Sequence, residues 1–287
     1  IRYQPRSRGL GDVYKRQPTD GLAPAIYRQD QLSELAPYLA PGVKEQFDFP
    51  ELQFEVTETQ HYVPHQFYVD ATAKHIDKAT IRDDGLLLGY VAGQPFSSDA
   101  IEKAPAGQAG EMLAWNQIHR WQYYGYRMKE SVMAYILSTP DGSSGELIHG
   151  MEGGGHADRH VTVSYHRVYL SGLSHLPEQD YRMDVSGGGE LLYKEHLEIL
   201  EPFDVAGMQF VIERPLDQTL GDQVNSYLPS ERRVRRLSAK ERADSFLGTV
   251  WTMDDFEGFS GLVTDNTWTL IGHKVVPHVT NARHDLI

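Results

Sequence analysis

The sequence predicts an α+β fold: a large, curved antiparallel sheet, open as an incomplete barrel, with one main helix and short helices packed on it. Three observations predict it. Beyond residue 50, successive runs alternate apolar and polar residues with period two. Gly- and Asp-containing turns separate those runs, and residues 107–125 carry an apolar face at helical spacing.

Taken in order, residues 27–39 (YRQDQLSELAPYL) place Leu32, Leu35 and Leu39 at helical spacing, with Pro37 and Pro41 limiting the length to a short helix. The runs LQFEVTE, HQFYVDATAKHI and, after the turn signal Asp83-Asp84-Gly85, LLLGYVAG read as consecutive hairpin strands. Residues 107–125 put Met112, Trp115, Ile118 and His119 on one face, with Trp121 and Tyr123 nearby, and read as the main helix. Strand-like runs follow: MKESVMAYILS, GELIHGM, HVTVSYHRVYLSG, ELLYKEHLEIL, MQFVIERPL, VNSYLP, RRVRRL and WTLIGHKVV. Turns at Pro140-Asp141-Gly142, Gly153-Gly154-Gly155 and Gly187-Gly188-Gly189 punctuate them.

Residues 7–17 (SRGLGDVYKRQ) resemble the translation of a transposon-based sequencing adaptor, so residues 1–17 are read as a non-native, disordered segment. The remainder, 18–287, lacks a repeat, a low-complexity tract or a Pro/Ser linker and reads as one domain.

Composition narrows the function. Among 287 residues, 27 Lys and Arg face 40 Asp and Glu, a net charge of -13, which argues against a nucleic-acid binder. With no cysteine there is no thiolate metal site, thiol nucleophile or disulfide. His61/His65 and His156/His160 have the i,i+4 spacing of zinc ligands, yet one pair spans Pro64, the other follows three glycines, and neither brings the glutamate of HExxH. Ser260 lies in GFSG, which lacks the glycine spacing of a nucleophile elbow, and the triple glycines match no phosphate-binding pattern. Neither a catalytic set nor a cofactor is expected.

The most distinctive local feature is Arg232-Arg233-Val234-Arg235-Arg236. On a strand these arginines divide between both faces. Two readings stand: an ion-pair ladder with Asp244, Asp254, Asp255 and Glu257, or a docking patch for an acidic partner or lipid head group.

Residues 226–261 (SYLPSERRVRRLSAKERADSFLGTVWTMDDFEGFSG) resemble the bacterial family known as domain of unknown function 1329. Tyr227-Leu228-Pro229, the arginine cluster, Asp244-Ser245-Phe246 and Asp254-Asp255-Phe256 through Gly258-Phe259-Ser260-Gly261 carry the similarity. The stretch GYVAGQPF (89–96), Ala114-Trp115-Asn116, Arg120-Trp121 and Pro202-Phe203-Asp204-Val205 extend it over most of residues 20–280. That family looks related to the lipoprotein-sorting proteins LolA and LolB and the sensor RseB. The resemblance implies a curved sheet closed over by helices around an apolar cavity, in a periplasmic or outer-membrane-associated protein. By this reading the chain is a non-catalytic carrier of an acyl lipid, lipoprotein or other hydrophobic molecule. Its cavity would be lined by the helix bearing Met112, Trp115, Ile118 and Trp121, and it would serve lipoprotein sorting or a transporter of the resistance-nodulation-division type. The resemblance also implies that the chain stops short of its final strands. The alternative is a scaffold module that binds a partner protein through the arginine strand; a lipid hydrolase would need a nucleophile that no motif supplies.

Overall fold

The computed structural model describes residues 22–39, 43–44, 53–57, 64–137, 156–238, 244–246 and 251–277. The chain divides into two compact units. The larger takes in the described residues that fall within Val63–Glu130 and Val163–Ile271, and the smaller those within Arg16–Tyr62, Ser131–Thr162 and Gly272–Ile287.

In the smaller unit, β1 (Ala25–Tyr27) pairs antiparallel with β2 (Phe54–Val56). The helical spacing of Leu32, Leu35 and Leu39 yields a short α1 (Leu32–Leu35) flanked by 3-10 turns, with Pro37 in the second of them. Tyr27, Leu35 and Leu39 form a small core with Leu22, Leu32, Val43, Phe54 and Val56 around it.

Among the described residues the main sheet has six antiparallel strands in the order β10-β9-β8-β7-β6-β5, a meander that does not close into a barrel. The strands are β5 (Gly125–Leu137), β6 (His156–Tyr169), β7 (Leu191–Glu201), β8 (Gln209–Pro215), β9 (Gln223–Leu228) and β10 (Arg233–Leu237). Their alternation sets the inner face: Val163, Tyr165, Arg167 and Tyr169 of β6, Tyr193, Glu195, Leu197 and Ile199 of β7, and Ile212 and Arg214 of β8 are all buried. A register shift between Leu191 and Tyr193 lets Leu192 and Tyr193 turn inward together. The expected strand GELIHGM and the turns at 140–142 and 153–155 lie outside the described residues.

Two expectations are corrected. Residues 66–75, expected as a strand from the alternation of Phe67, Val69 and Ala71, form helix α2 (Gln66–His75). Helical spacing wins because Tyr68, Ala71 and Thr72 then share a buried face, Gln66 donates to Asp70 one turn on at 2.7 Å, and His65 caps the start. The hairpin at Asp83-Asp84-Gly85 forms, with strands of two residues each: β3 (Thr80–Ile81) and β4 (Leu87–Leu88).

Similarly, the run WTLIGHKVV, expected as the last strand, joins no sheet. Trp268 and Leu270 pack instead on the core beside helix α4 (Ala106–Ile118), and the Leu270 amide donates to the Ala106 carbonyl at 2.8 Å. Helix α4 is the main helix read from the sequence, and it ends before Trp121. Short helix α3 (Ser98–Lys103), capped by the Ser97 hydroxyl, precedes it. The principal core of the larger unit joins Trp115 and Ile118 of α4 to Tyr169, Leu192 and Tyr193 from the sheet, to Leu173 from the loop after β6 and to Val263.

Candidate functional site

Behind α4 the chain emerges as Trp121-Gln122-Tyr123-Tyr124, too short of the helix to be covered by it. Trp121, Tyr123 and Tyr124 are 41%, 44% and 46% exposed. They are not scattered. Tyr123 stacks on His175 at 5.5 Å between centroids, meets Phe67 edge-on at 5.5 Å, and contacts Trp121 and Tyr124 at 6.0 Å each. His65 stacks on Phe67 at 4.0 Å, and Tyr124 abuts His175 at the same distance. Both ring nitrogens of His175 are enclosed without a hydrogen-bond partner among the described residues, and burial pulls its pKa below the ordinary histidine value. The result is a contiguous aromatic rim supplied by the start of α2, the loop after α4 and the loop after β6.

Beside this rim lies a cleft lined by Tyr68, Tyr90, His119, Arg120, Gln122 and Ser174. Its free volume is about 20 Å³. That is room for one water, against the roughly 300–1,000 Å³ of a lipid-sized pocket. His119 lies in the wall, stacked 3.7 Å from Tyr90 and 5.8 Å from Trp115, and burial drives its pKa down to about 3.

Deeper on the inner face sits a charged cluster that the sequence reading missed. Arg167 donates from Nε to Glu195 at 2.8 Å and to the Tyr165 hydroxyl at 3.0 Å, and from Nη1 to Glu257 at 2.6 Å. Arg120 pairs with the same Glu257, whose other oxygen accepts from the Tyr126 hydroxyl. Burial alone would raise the Glu257 pKa, but the Arg167 and Arg120 charges and the Tyr126 hydrogen bond hold it below the usual carboxylate value. Tyr193 lies between two guanidinium groups, its ring 4.2 Å from Arg167 and 5.4 Å from Arg214. Arg214 forms a fully buried pair with Asp222 and donates to the carbonyls of Ser260 at 2.8 Å and Gly261 at 3.2 Å. Two cations and two anions balance in the first group and one of each in the second. These charges are consumed in holding residues 252–263 against the sheet. The available signal was the run Tyr165-x-Arg167-x-Tyr169 with Tyr193-x-Glu195, charges at inward positions of an alternation otherwise aromatic.

The sequence-selected residues divide by position. Trp115 and Ile118 are buried core, Trp115 donating to the Gly85 carbonyl at 2.9 Å, and Met112 packs against that core. Trp121 alone of the four stands on the exposed rim. Arg233, Arg235 and Arg236 lie on β10, exposed along its whole length, and Arg232 sits in the turn before it at φ 52°. Of the residues named for a ladder, Arg235 pairs with Glu231 at 2.5 Å, Glu257 with Arg120 and Arg167, and Asp255 accepts from the Thr252 amide and hydroxyl as part of a capping box. Asp254 is half-buried, and the Ser260 hydroxyl donates to the Met253 carbonyl at 2.7 Å, in a turn. Of the histidine pairs, His65 caps α2 while His156 and His160 lie on β6; no group of three or more metal-ligating side chains occurs among the described residues. Nor, among these residues, is any helix long and apolar enough to cross a membrane.

No curated protein matches the chain. A solved DUF1329 family protein from Desulfovibrio piger is 18% identical, with a TM-score of 0.38 over 59% of this chain and 56% of its own. A domain assigned to the outer membrane lipoprotein-sorting proteins, from Vibrio parahaemolyticus, is 16% identical, with a TM-score of 0.34 over 55% and 51%. The chain thus spans just over half the length of each. The family model described as Protein of unknown function (DUF1329) matches residues 28–284, which contain the sheet, the aromatic rim and the charged cluster, and the chain belongs to the DUF1329 family.

Proposed function

We propose that this chain is a non-catalytic accessory protein of the bacterial envelope that binds an acyl lipid or similar hydrophobic molecule through the aromatic rim. The observation that carries the reading is the contiguity of Trp121, Tyr123 and Tyr124 with Phe67 and His175. Rings with an apolar body and a polar edge suit a ligand that is part chain and part head group. An exposed apolar patch of this kind on a folded surface marks an interaction site. At the edge of the rim, Gln122 and Ser174 in the wall of the adjacent cleft offer polar groups to a head that stays outside it. Family membership, together with the resemblance to lipoprotein-sorting proteins, supports the envelope setting and service to a sorting system or a resistance-nodulation-division transporter. The ligand contacts fall on Trp121 of the helix-derived set, because Trp115, Ile118 and Met112 are engaged in the core.

Titration with a doxyl-labelled fatty acid tests this. Quenching of tryptophan fluorescence is expected to saturate, and Trp121→Phe together with Tyr123→Ala should weaken uptake roughly tenfold, the effect of losing an aromatic anchor. Native mass spectrometry should then show the lipid at one per chain. Undiminished uptake by that variant would overturn the rim as the site, and no uptake by the unaltered protein would overturn the carrier reading.

A further inference from the structure

Strand β10 ends the sheet among the described residues, paired with β9 on one side from Arg233↔Leu228 to Leu237↔Val224. Every residue of it is exposed, Val234 at 69%. A sheet edge offers a row of unpaired N–H and C=O groups to any extended chain. This edge carries Arg233 and Arg235 on one face, Arg236 on the other, and Arg232 at the turn that leads in. Arg235 has a carboxylate neighbour in Glu231. Arg232, Arg233 and Arg236 have none among the described residues. Four guanidinium groups thus cluster on the rim of a chain whose net charge is -13.

The arrangement discriminates among occupants. A second copy of β10, pairing antiparallel, would set arginine against arginine and be repelled. A bilayer lying on either face of the sheet would meet the arginines of that face alone. An extended acidic segment approaching edge-on satisfies both sets of groups at once, with its backbone on the edge that no described strand occupies and its carboxylates straddling the two faces. We infer that β10 is a strand-addition site for an acidic segment of a partner protein, independent of the aromatic rim.

The test uses the full chain and a Glu-Glu-Val-Glu-Glu peptide, the charge complement of residues 232–236. Binding by fluorescence anisotropy is expected to weaken with added salt, and amide exchange at residues 233–237 should slow in the complex. The same peptide N-methylated at every residue keeps its charge and loses its backbone donors on both edges, so it should not bind. Arg233→Glu with Arg236→Glu should weaken the parent peptide at least roughly tenfold, with an unchanged thermal melt showing that both exposed substitutions leave the fold intact. Equal binding of the N-methylated peptide would reduce the site to bare charge and overturn strand addition. Recruitment to phosphatidylglycerol vesicles with no peptide binding would replace the protein partner by a membrane. Absence of both would leave the arginines as guards of an exposed edge and overturn the inference.

Discussion

His119 shows how much one enclosed side chain can impose on its surroundings. Held between Tyr90 and Trp115 and kept neutral by burial, it titrates in the native protein only near pH 3. In the unfolded chain the same ring titrates near 6.5. Its contribution is therefore complete above about pH 6.5 and lost progressively as pH falls toward 3, because only the unfolded state takes up the proton. Phe at this position keeps the stacking and removes the titration. Denaturant unfolding at pH 6.5 and pH 5 is expected to show His119→Phe losing less stability than the unaltered protein, by up to about 2 kcal/mol. Equal losses would show that the imidazole reaches solvent. Glu257 acts in the same direction lower on the scale: its lowered native pKa makes its contribution complete above the ordinary carboxylate range and lost as pH falls through the native value.

At the scale of elements, α4 carries two glycines with opposite roles. A Cβ on Gly110 would lie 2.6 Å from the Thr269 amide nitrogen and 2.8 Å from the Trp268 carbonyl carbon, backbone that has no room to yield without leaving the core. A Cβ on Gly107 would meet nothing closer than the Trp268 carbonyl oxygen at 3.8 Å. Gly110→Ala should thus cost about 1–3 kcal/mol through overpacking, and Gly107→Ala should add roughly 0.5–1 kcal/mol through helix propensity. Thermal melts of the two variants should shift in opposite senses. The same packing explains why residues 268–276 misled the sequence reading: their alternation is real, but Trp268 and Leu270 spend it on α4. Residues 66–75 misled in the reverse direction, since Ala71 and Ala73 fit either period and only the surroundings of Tyr68 and Thr72 decide. The loop at Gly93 lies so close to Thr72 that a Cβ there would meet its backbone nitrogen at 2.5 Å, a contact no local pattern could announce.

For the whole molecule, the meander of six strands among the described residues and the main helix were legible because each rests on local periodicity and turns. The aromatic rim was half legible, as Trp121 and Tyr123 were read within the helical stretch 107–125 although the helix stops at Ile118, whereas Phe67, His65 and His175 join them only through the fold. The buried charges were not legible, since partners such as Arg167 and Glu257 stand ninety positions apart. Net charge adds a prediction at this scale. An acidic protein with an apolar rim should partition to neutral phosphatidylcholine vesicles in preference to phosphatidylglycerol vesicles at low salt, and flotation assays should show the difference fading as salt screens the repulsion. A preference for the anionic vesicles at low salt would mean that local arginines outweigh the global field.

The Arg167–Glu195 pair bears on descent. Removing Arg167 strands the buried Glu195 carboxylate at about 3–5 kcal/mol, a large share of the roughly 5–15 kcal/mol that keeps a domain folded, whereas exchanging both for apolar residues can be neutral. Drift one substitution at a time is therefore blocked at Arg167, while Arg120, a third exposed and sharing Glu257 with Arg167, is freer to change. Lineages of this fold should inherit the buried pair whole or have exchanged it whole, so that these two positions record ancestry as a single character.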